Sequence, residues 1–161
     1  MGEGRRNMDR FPAMSTERLY LVKIEQHYAE DLFTILSNDQ VIEYYGKESL
    51  IHVNEAKQLI DYIHLYYRQK RSIRWGIIYK EDDNFIGSIG LNNLNLWNKK
   101  AEIGYELHPD YWRRGIMFEA TNAVIQYGFS QLGLFRRGAV TYPENIASNS
   151  LLQKLGFRQE G

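Results

Sequence analysis

One stretch of this chain limits its possible folds more than any other. Glu102-Ile103-Gly104-Tyr105-Glu106-Leu107 alternates apolar and polar residues, His108-Pro109 ends the alternation, and the basic run Trp112-Arg113-Arg114-Gly115 leads into Ile116-Met117. The alternation predicts a strand with Ile103, Tyr105 and Leu107 on one face and Glu102, Gly104 and Glu106 on the other. Two carboxylates and a glycine make a poor core surface and a suitable floor for a polar cleft. From Gly115 to Leu132 the apolar residues Ile116, Ala120, Ala123, Val124 and Tyr127 recur at helical spacing, and Gly133 is placed to end the helix. The first N–H groups of a helix have no internal partner and lie at the positive end of its dipole. With Arg113 and Arg114 beside them and Gly115 allowing close backbone approach, this turn suits a phosphate or pyrophosphate.

The rest of the chain supplies a sheet around that unit. Strands are expected at 18–24, 73–80, 84–91, 101–107 and 136–142, with a further one starting at Phe157, and helices at 28–36, 53–67, 115–132 and 146–155. The order β-α-α-β-β-β-α-β-α-β implies a mixed α/β sheet with helices on its faces, and the unit from 101 to 142 implies a parallel or splayed central strand pair. The 161 residues suit one domain from residue 15 to 161, with residues 1–14 read as a flexible leader. Twenty Lys+Arg balance twenty Asp+Glu, which argues against a nucleic-acid binder. The chain has no cysteine, so thiolate nucleophiles and disulfides are excluded and a reducing compartment is expected. No apolar run is long enough to span a bilayer, and the basic N-terminus has no apolar core behind it; neither a membrane nor secretion is expected, and the location read from this is cytoplasmic.

The segment EIGYELHPDYWRRGIMFEA resembles the acetyl-CoA-binding strand–loop–helix of the GNAT N-acetyltransferases, and most closely the RimJ/RimL-like branch that acetylates ribosomal-protein N-termini. A second block, Pro143-Glu144-Asn145-Ile146-Ala147-Ser148 running on to Lys154-Leu155-Gly156-Phe157, resembles the family's distal block. Thr16-Glu17-Arg18-Leu19 resembles its first strand. The resemblance implies a mainly antiparallel sheet flanked by helices with a splayed central pair. It also implies a final hairpin that this chain carries only in part, and the open edge so left would favour a homo-oligomer. Acetyl-CoA is the implied co-substrate, with contacts from Leu107, His108, Trp112, Arg113, Arg114, Gly115, Ile116, Met117 and Asn145. Within the loop, Arg113 stands where the branch often has glycine. His108 also reads as a turn residue before Pro109, and Asn145 as a helix N-cap.

The implied reaction is direct attack of a primary amine on the acetyl thioester. An alkylammonium has a pKa near ~10 and must lose a proton first, so a carboxylate, directly or through water, is the expected base. Glu102 and Glu106 are the candidates, and each also reads as a solvated or ion-paired strand residue. The family's proton-donating tyrosine has no counterpart, since Leu152 stands at its position. Ser148 matches the serine proposed in the branch to protect the leaving thiolate, or it is a first-turn helix residue. Tyr44-Tyr45 before Gly46, read as part of the loop between the first two helices, border the substrate groove by resemblance. Tyr66, Tyr67, Trp75 and Trp97 are either cleft or core. The four histidines form no metal-binding pattern, and no metal is expected. The acceptor is a protein N-terminus by the branch resemblance; a polyamine, an aminoglycoside, or a CoA-binding sensor without catalysis are the alternatives.

Overall fold

A computed structural model describes residues 10–134 and 140–141 of the chain. Six strands lie side by side in sequence order: β1 (Met14–Ser15), β2 (Leu19–Lys23), β3 (Ile73–Tyr79), β4 (Asn84–Asn95), β5 (Lys100–Leu107) and β6 (Val140–Thr141). Neighbours from β1 to β5 are antiparallel, and β6 joins β5 in parallel at Ala101↔Val140 and Glu102↔Thr141. Among the described residues four α-helices accompany the sheet: α1 (Ala29–Leu36), α2 (Asp39–Tyr45), α3 (Val53–Arg68) and α4 (Ile116–Gln131).

The alternation read from the sequence divides the sheet into two faces. Leu21, Trp75, Ile77, Ile89, Leu91, Ile103 and Leu107 are buried together with Ile116, Ala120 and Val124 of α4. On the opposite side Ile24, Ile78 and Phe85 pack with Leu32 and Ile35 of α1 and Ile60 of α3. A register shift after Ile77 leaves Ile86 as an extra residue, since Ile77 pairs with Gly87 and Ile78 with Phe85. The bulge reverses the facing of Phe85, which lays its ring over Gly76, where a Cβ would come within 2.5 Å of it.

Local signals set the helix ends. Asn38 Oδ1 accepts hydrogen bonds from the backbone N–H groups of Gln40 and Val41, at 2.9 and 3.2 Å, and Gly46 ends α2 with φ +64°. The Glu55 carboxylate accepts from the N–H groups of Ile51 and His52 and so fixes the start of α3. Gly133 closes α4 with φ +75°.

Two expectations change. Tyr44 and Tyr45 end helix α2 rather than sitting in a loop. The packed domain also begins before residue 15: Phe11 stacks edge-on against Tyr67 and Trp75, Trp75 Nε1 donates to Pro12 O at 2.9 Å, and Met14–Ser15 pairs with β2. The expected helix at 146–155, the strand at Phe157 and the end of the chain lie outside the described residues.

Candidate active site

The site begins with a gap in the side chains of the sheet. Across β3, β4 and β5 the register aligns Arg74 with Gly90 and Gly104, and Gly76 with Ser88 and Glu106. The first row therefore carries one side chain over three positions, and Arg74 lies flat across it. A Cβ on Gly90 would approach Arg74 Cβ to 3.1 Å, and one on Gly104 would come 2.7 Å from Asn92 Nδ2 and 3.4 Å from Arg74 Nη2. Lying there, the guanidinium donates to Ser88 Oγ at 2.7 Å and to Asn92 Oδ1 at 3.4 Å.

Glu106 is the centre of this floor. It is 2% exposed, accepts a hydrogen bond from Ser88 Oγ through Oε1, and holds Oε2 at 3.1 Å from Lys47 Nζ and 3.6 Å from Arg74 Nη1. Burial alone would push the Glu106 carboxyl up; the Lys47 and Arg74 charges and the Ser88 hydroxyl outweigh it and hold the carboxyl below the usual carboxylate range. Glu106 is therefore an anion already matched by two cations. Above it, between the sheet and helices α1 and α3, opens a cleft of about 330 Å³ with apolar walls that include Leu32, Leu59 and Ile63, and with Tyr62 and Tyr66 at its side.

Glu102, the other candidate carboxylate, is exposed and accepts from Asn93 Nδ2 at 2.7 Å. It lies outside the cleft lining while sharing a strand face with Glu106, four residues further on. Lys47, Arg74 and Ser88 belong to no motif and were not foreseen. The one signal for them was the pair of glycines facing Arg74, and it is visible only once the strand register is known. Of the aromatic candidates, Tyr66 lines the cleft, Tyr67 and Trp75 pack with the core, and Trp97 is 92% exposed.

Beyond Leu107 the backbone leaves the sheet. His108 N–H donates to Ile86 O at 2.8 Å, so the N–H and C=O of Leu107 point away from β4. Trp112 Nε1 donates to that Leu107 carbonyl at 2.7 Å. His108 acts as a turn residue, its Nδ1 accepting from the Asp110 N–H at 3.1 Å. Arg113 and Gly115 both take the left-handed conformation, with φ +62° and +73°. Gly115 is the N-cap of α4 and offers no side-chain cap, which leaves the first N–H groups of the helix free of a side-chain acceptor from that position. Ile116 is buried and Met117 packs against the core, so both face the loop with backbone alone. Arg114 lies over the Tyr111 ring, 5.2 Å from its centroid.

A network from the first strand braces this turn. Glu119 accepts from Thr16 Oγ1, from Arg18 N–H at 2.8 Å and from Arg18 Nε at 2.7 Å, while Arg18 Nη1 donates to Arg114 O at 2.7 Å. These donors overcome partial burial and hold the Glu119 carboxyl below its ordinary range. Its charge is thus spent on Arg18 at the end of the helix where an anionic ligand would otherwise meet it.

Tyr44 and Tyr45 join the loop to helix α2. Their rings lie 5.0 and 6.4 Å from that of Trp112, and Tyr45 is 6.0 Å from Tyr105. Burial pushes the Tyr45 phenol up, as do Tyr105, Tyr44 and Glu106, while a hydrogen bond with the Leu107 backbone acts the other way. The two tyrosines stand beside the loop that precedes α4 and do not line the 330 Å³ cleft. Asn145 and Ser148 lie outside the described residues.

Uncapped helix N–H groups behind a left-handed Gly115, with two exposed arginines alongside, fit the pyrophosphate of a CoA thioester. Among the described residues, no group of three His, Asp or Glu could hold a metal ion, and no helix is long and apolar enough to cross a membrane. The chain is also similar to known proteins. The chain is 44% identical over 151 residues to the uncharacterized N-acetyltransferase YoaA of Bacillus subtilis, covering 94% of this chain and 85% of that one. It is 37% identical over 86 residues to the ribosomal-protein-serine acetyltransferase of Escherichia coli, which is 53% of this chain and 47% of the relative. The fold matches that of spermidine N-acetyltransferase from Vibrio cholerae, solved with CoA and spermine, with a TM-score of 0.75 at 20% identity over 91% of this chain and 84% of that one. Residues 18–158 match the acetyltransferase (GNAT) domain, and the chain belongs to this family of enzymes, which move an acetyl group from acetyl-CoA to an amine.

Proposed function

We propose that the enzyme acetylates the α-amino terminus of a protein. The observation that carries this reading is the state of Glu106, which is buried, ionised and already matched by Lys47 and Arg74. Such a carboxylate is a weak base, and with its charge matched, Glu48 is, among the described residues, the one carboxylate of the cleft lining left to attract a cation. An α-amino group has a pKa near ~7.7–8.0, against ~10.4 for an alkylamine of the lysine type. At neutral pH the α-amine is therefore partly unprotonated without help. The alkylamine has a further ~2.5 units to overcome, about 3.4 kcal/mol. The two floor cations favour the neutral amine still more.

Acetyl-CoA supplies the acetyl group as an activated thioester. In this reading the N–H groups at the start of α4, with Arg113 and Arg114, hold its phosphates, and the Tyr45 phenol oxygen takes the Leu107 N–H at the end of β5. Trp112 fixes the end of β5 through the Leu107 carbonyl. Tyr44 and Tyr45 form the wall between loop and acceptor. As the amine attacks, its nitrogen becomes far more acidic, so Glu106 needs no raised pKa to take the proton through water. Glu102 is left outside the cleft. We also assign the enzyme to the cytoplasm, on the ground of the cysteine-free sequence.

The likeness to a ribosomal-protein-serine acetyltransferase supports a protein acceptor, and the likeness to a spermidine enzyme names the competitor. Thiol release from acetyl-CoA, followed with N-terminal peptides, spermidine and an aminoglycoside, separates the two. Turnover of peptides is expected; turnover of spermidine with peptides inert would overturn the reading.

A further inference from the structure

Arg74 borders two cavities. On one side is the 330 Å³ cleft above Glu106; on the other, sharing Arg74 and Ile63 with it, is a chamber of about 230 Å³. The second chamber runs beneath helix α3, which contributes His64, Tyr67 and Arg68, and reaches Lys23 on β2. Its charge is one-sided. Lys23, Arg68 and Arg74 line it and no carboxylate does, in a protein whose acidic and basic residues balance at twenty each.

Two cations of this chamber, Arg68 and Lys23, are poorly neutralised, while Arg74 is matched by Glu106. Arg68 is exposed at the last turn of α3 and has no carboxylate partner among the described residues. Lys23 reaches only Glu25, at 3.8 Å between two side chains about half exposed. Arg74 turns one edge to Ser88 and Glu106 and serves both cavities. His64 points Nε2 at Ile24 O, at 2.8 Å, so this ring nitrogen is engaged with the backbone.

We propose that the acceptor site continues past Arg74 into this chamber, and that the acceptor is a peptide with acidic residues immediately after its N-terminus. The proposal rests on the protein-terminus reading above and deepens it. The amine end of such a peptide lies over Glu106, its backbone passes Arg74 between apolar walls, and a carboxylate one to a few residues later meets Arg68 and Lys23. A polyamine placed the same way would carry its second cation toward Arg68 and Lys23. Electrostatic matching of this kind acts on specificity and is weakened by salt.

The test uses equilibrium binding, so that it does not depend on turnover. Three N-acetylated hexapeptides, alike except that positions two to four are acidic, neutral or basic, are titrated into the full chain with CoA, alongside free glutamate. The acidic peptide should bind about tenfold tighter than the neutral one, the effect of roughly one charge-assisted contact, and the basic one should bind weakest. Arg68→Glu should reverse the order, and Arg68→Gln with Lys23→Gln should flatten it; CoA affinity and thermal melting report that these variants are folded. Equal affinities for the three peptides, or an order that Arg68→Glu leaves alone, would overturn the proposal. Free glutamate binding as tightly as the acidic peptide would overturn the peptide in favour of a small amino acid. In a separate turnover assay with the free-amine forms of these peptides, equal rates for the neutral and acidic ones would sink this proposal and leave the N-terminal reading standing, whereas turnover confined to spermidine would sink both.

Discussion

Replacing Glu106 with glutamine keeps the shape of the side chain and removes the charge that Lys47 and Arg74 face. Removing one partner of a buried ion pair costs about 3–5 kcal/mol, because the other charge stays behind unmatched. Here the full figure does not apply, since the Lys47 side chain is 36% exposed and can turn to water, while Arg74 at 14% cannot. A loss of about 2–3 kcal/mol follows. For a domain of this length that is a fall in Tm of roughly 5–10 °C. The pH dependence is as informative as the size. The folded carboxyl is held below its unfolded value near ~4.3, so its contribution is complete above that pH and disappears as pH falls through the folded pKa. Thermal unfolding of the parent and E106Q, measured from pH 8 down to pH 3, should show a gap that is widest at neutral pH and closes in acid. Lys47→Gln, at the more exposed end of the pair, should cost less. A gap of constant width across this range, or an E106Q chain as stable as the parent at pH 7, would refute the view of Glu106 as a buried anion matched by two cations.

Gly115→Val forces a branched side chain into φ +73°, at a cost of about 1–2 kcal/mol; the nearest atom to a new Cβ is Arg18 Nη2 at 3.5 Å, so the backbone and not crowding resists the change. Calorimetric titration should show acetyl-CoA binding weakened about tenfold or more, and unchanged binding would remove the loop from the cofactor site. Glu119→Gln frees Arg18 from its partner and loosens its hold on the Arg114 carbonyl, so KM for acetyl-CoA should rise severalfold with kcat nearly unchanged. A fall in kcat at constant KM would show that the network serves the chemistry and not the cofactor loop.

The faces of the sheet were legible because alternation in β5 is uninterrupted, and α4 was legible because its apolar stripe is long and bounded by glycines; the expected 115–132 became Ile116–Gln131. Helix α2 was missed. It is seven residues long, too short for periodicity to declare it, although Asn38 before it and Gly46 after it were both available as end signals. The partners of Glu106 could not be read at all. Arg74 and Ser88 meet it through a register set by the β3–β4–β5 pairing, and Lys47 comes from the turn after an unrecognised helix. The same holds for Arg18 and Glu119, which are 101 positions apart in the chain. Local pattern gives elements and their faces. Contacts across the sheet depend on how those elements are assembled.

Trp112 is shared property. Its indole N–H holds the Leu107 carbonyl at the end of the cofactor strand, and its ring lies against Tyr44 and Tyr45 at the end of α2. A ligand that shifts this ring therefore acts on both walls at once. By thermodynamic reciprocity, whatever occupancy of the loop does to affinity at the tyrosine wall, occupancy of the wall does to the loop by the same factor. The two substrates of this enzyme accordingly need not bind as strangers. On the proposed assignment of loop and wall, the coupling between them would pass through this one indole.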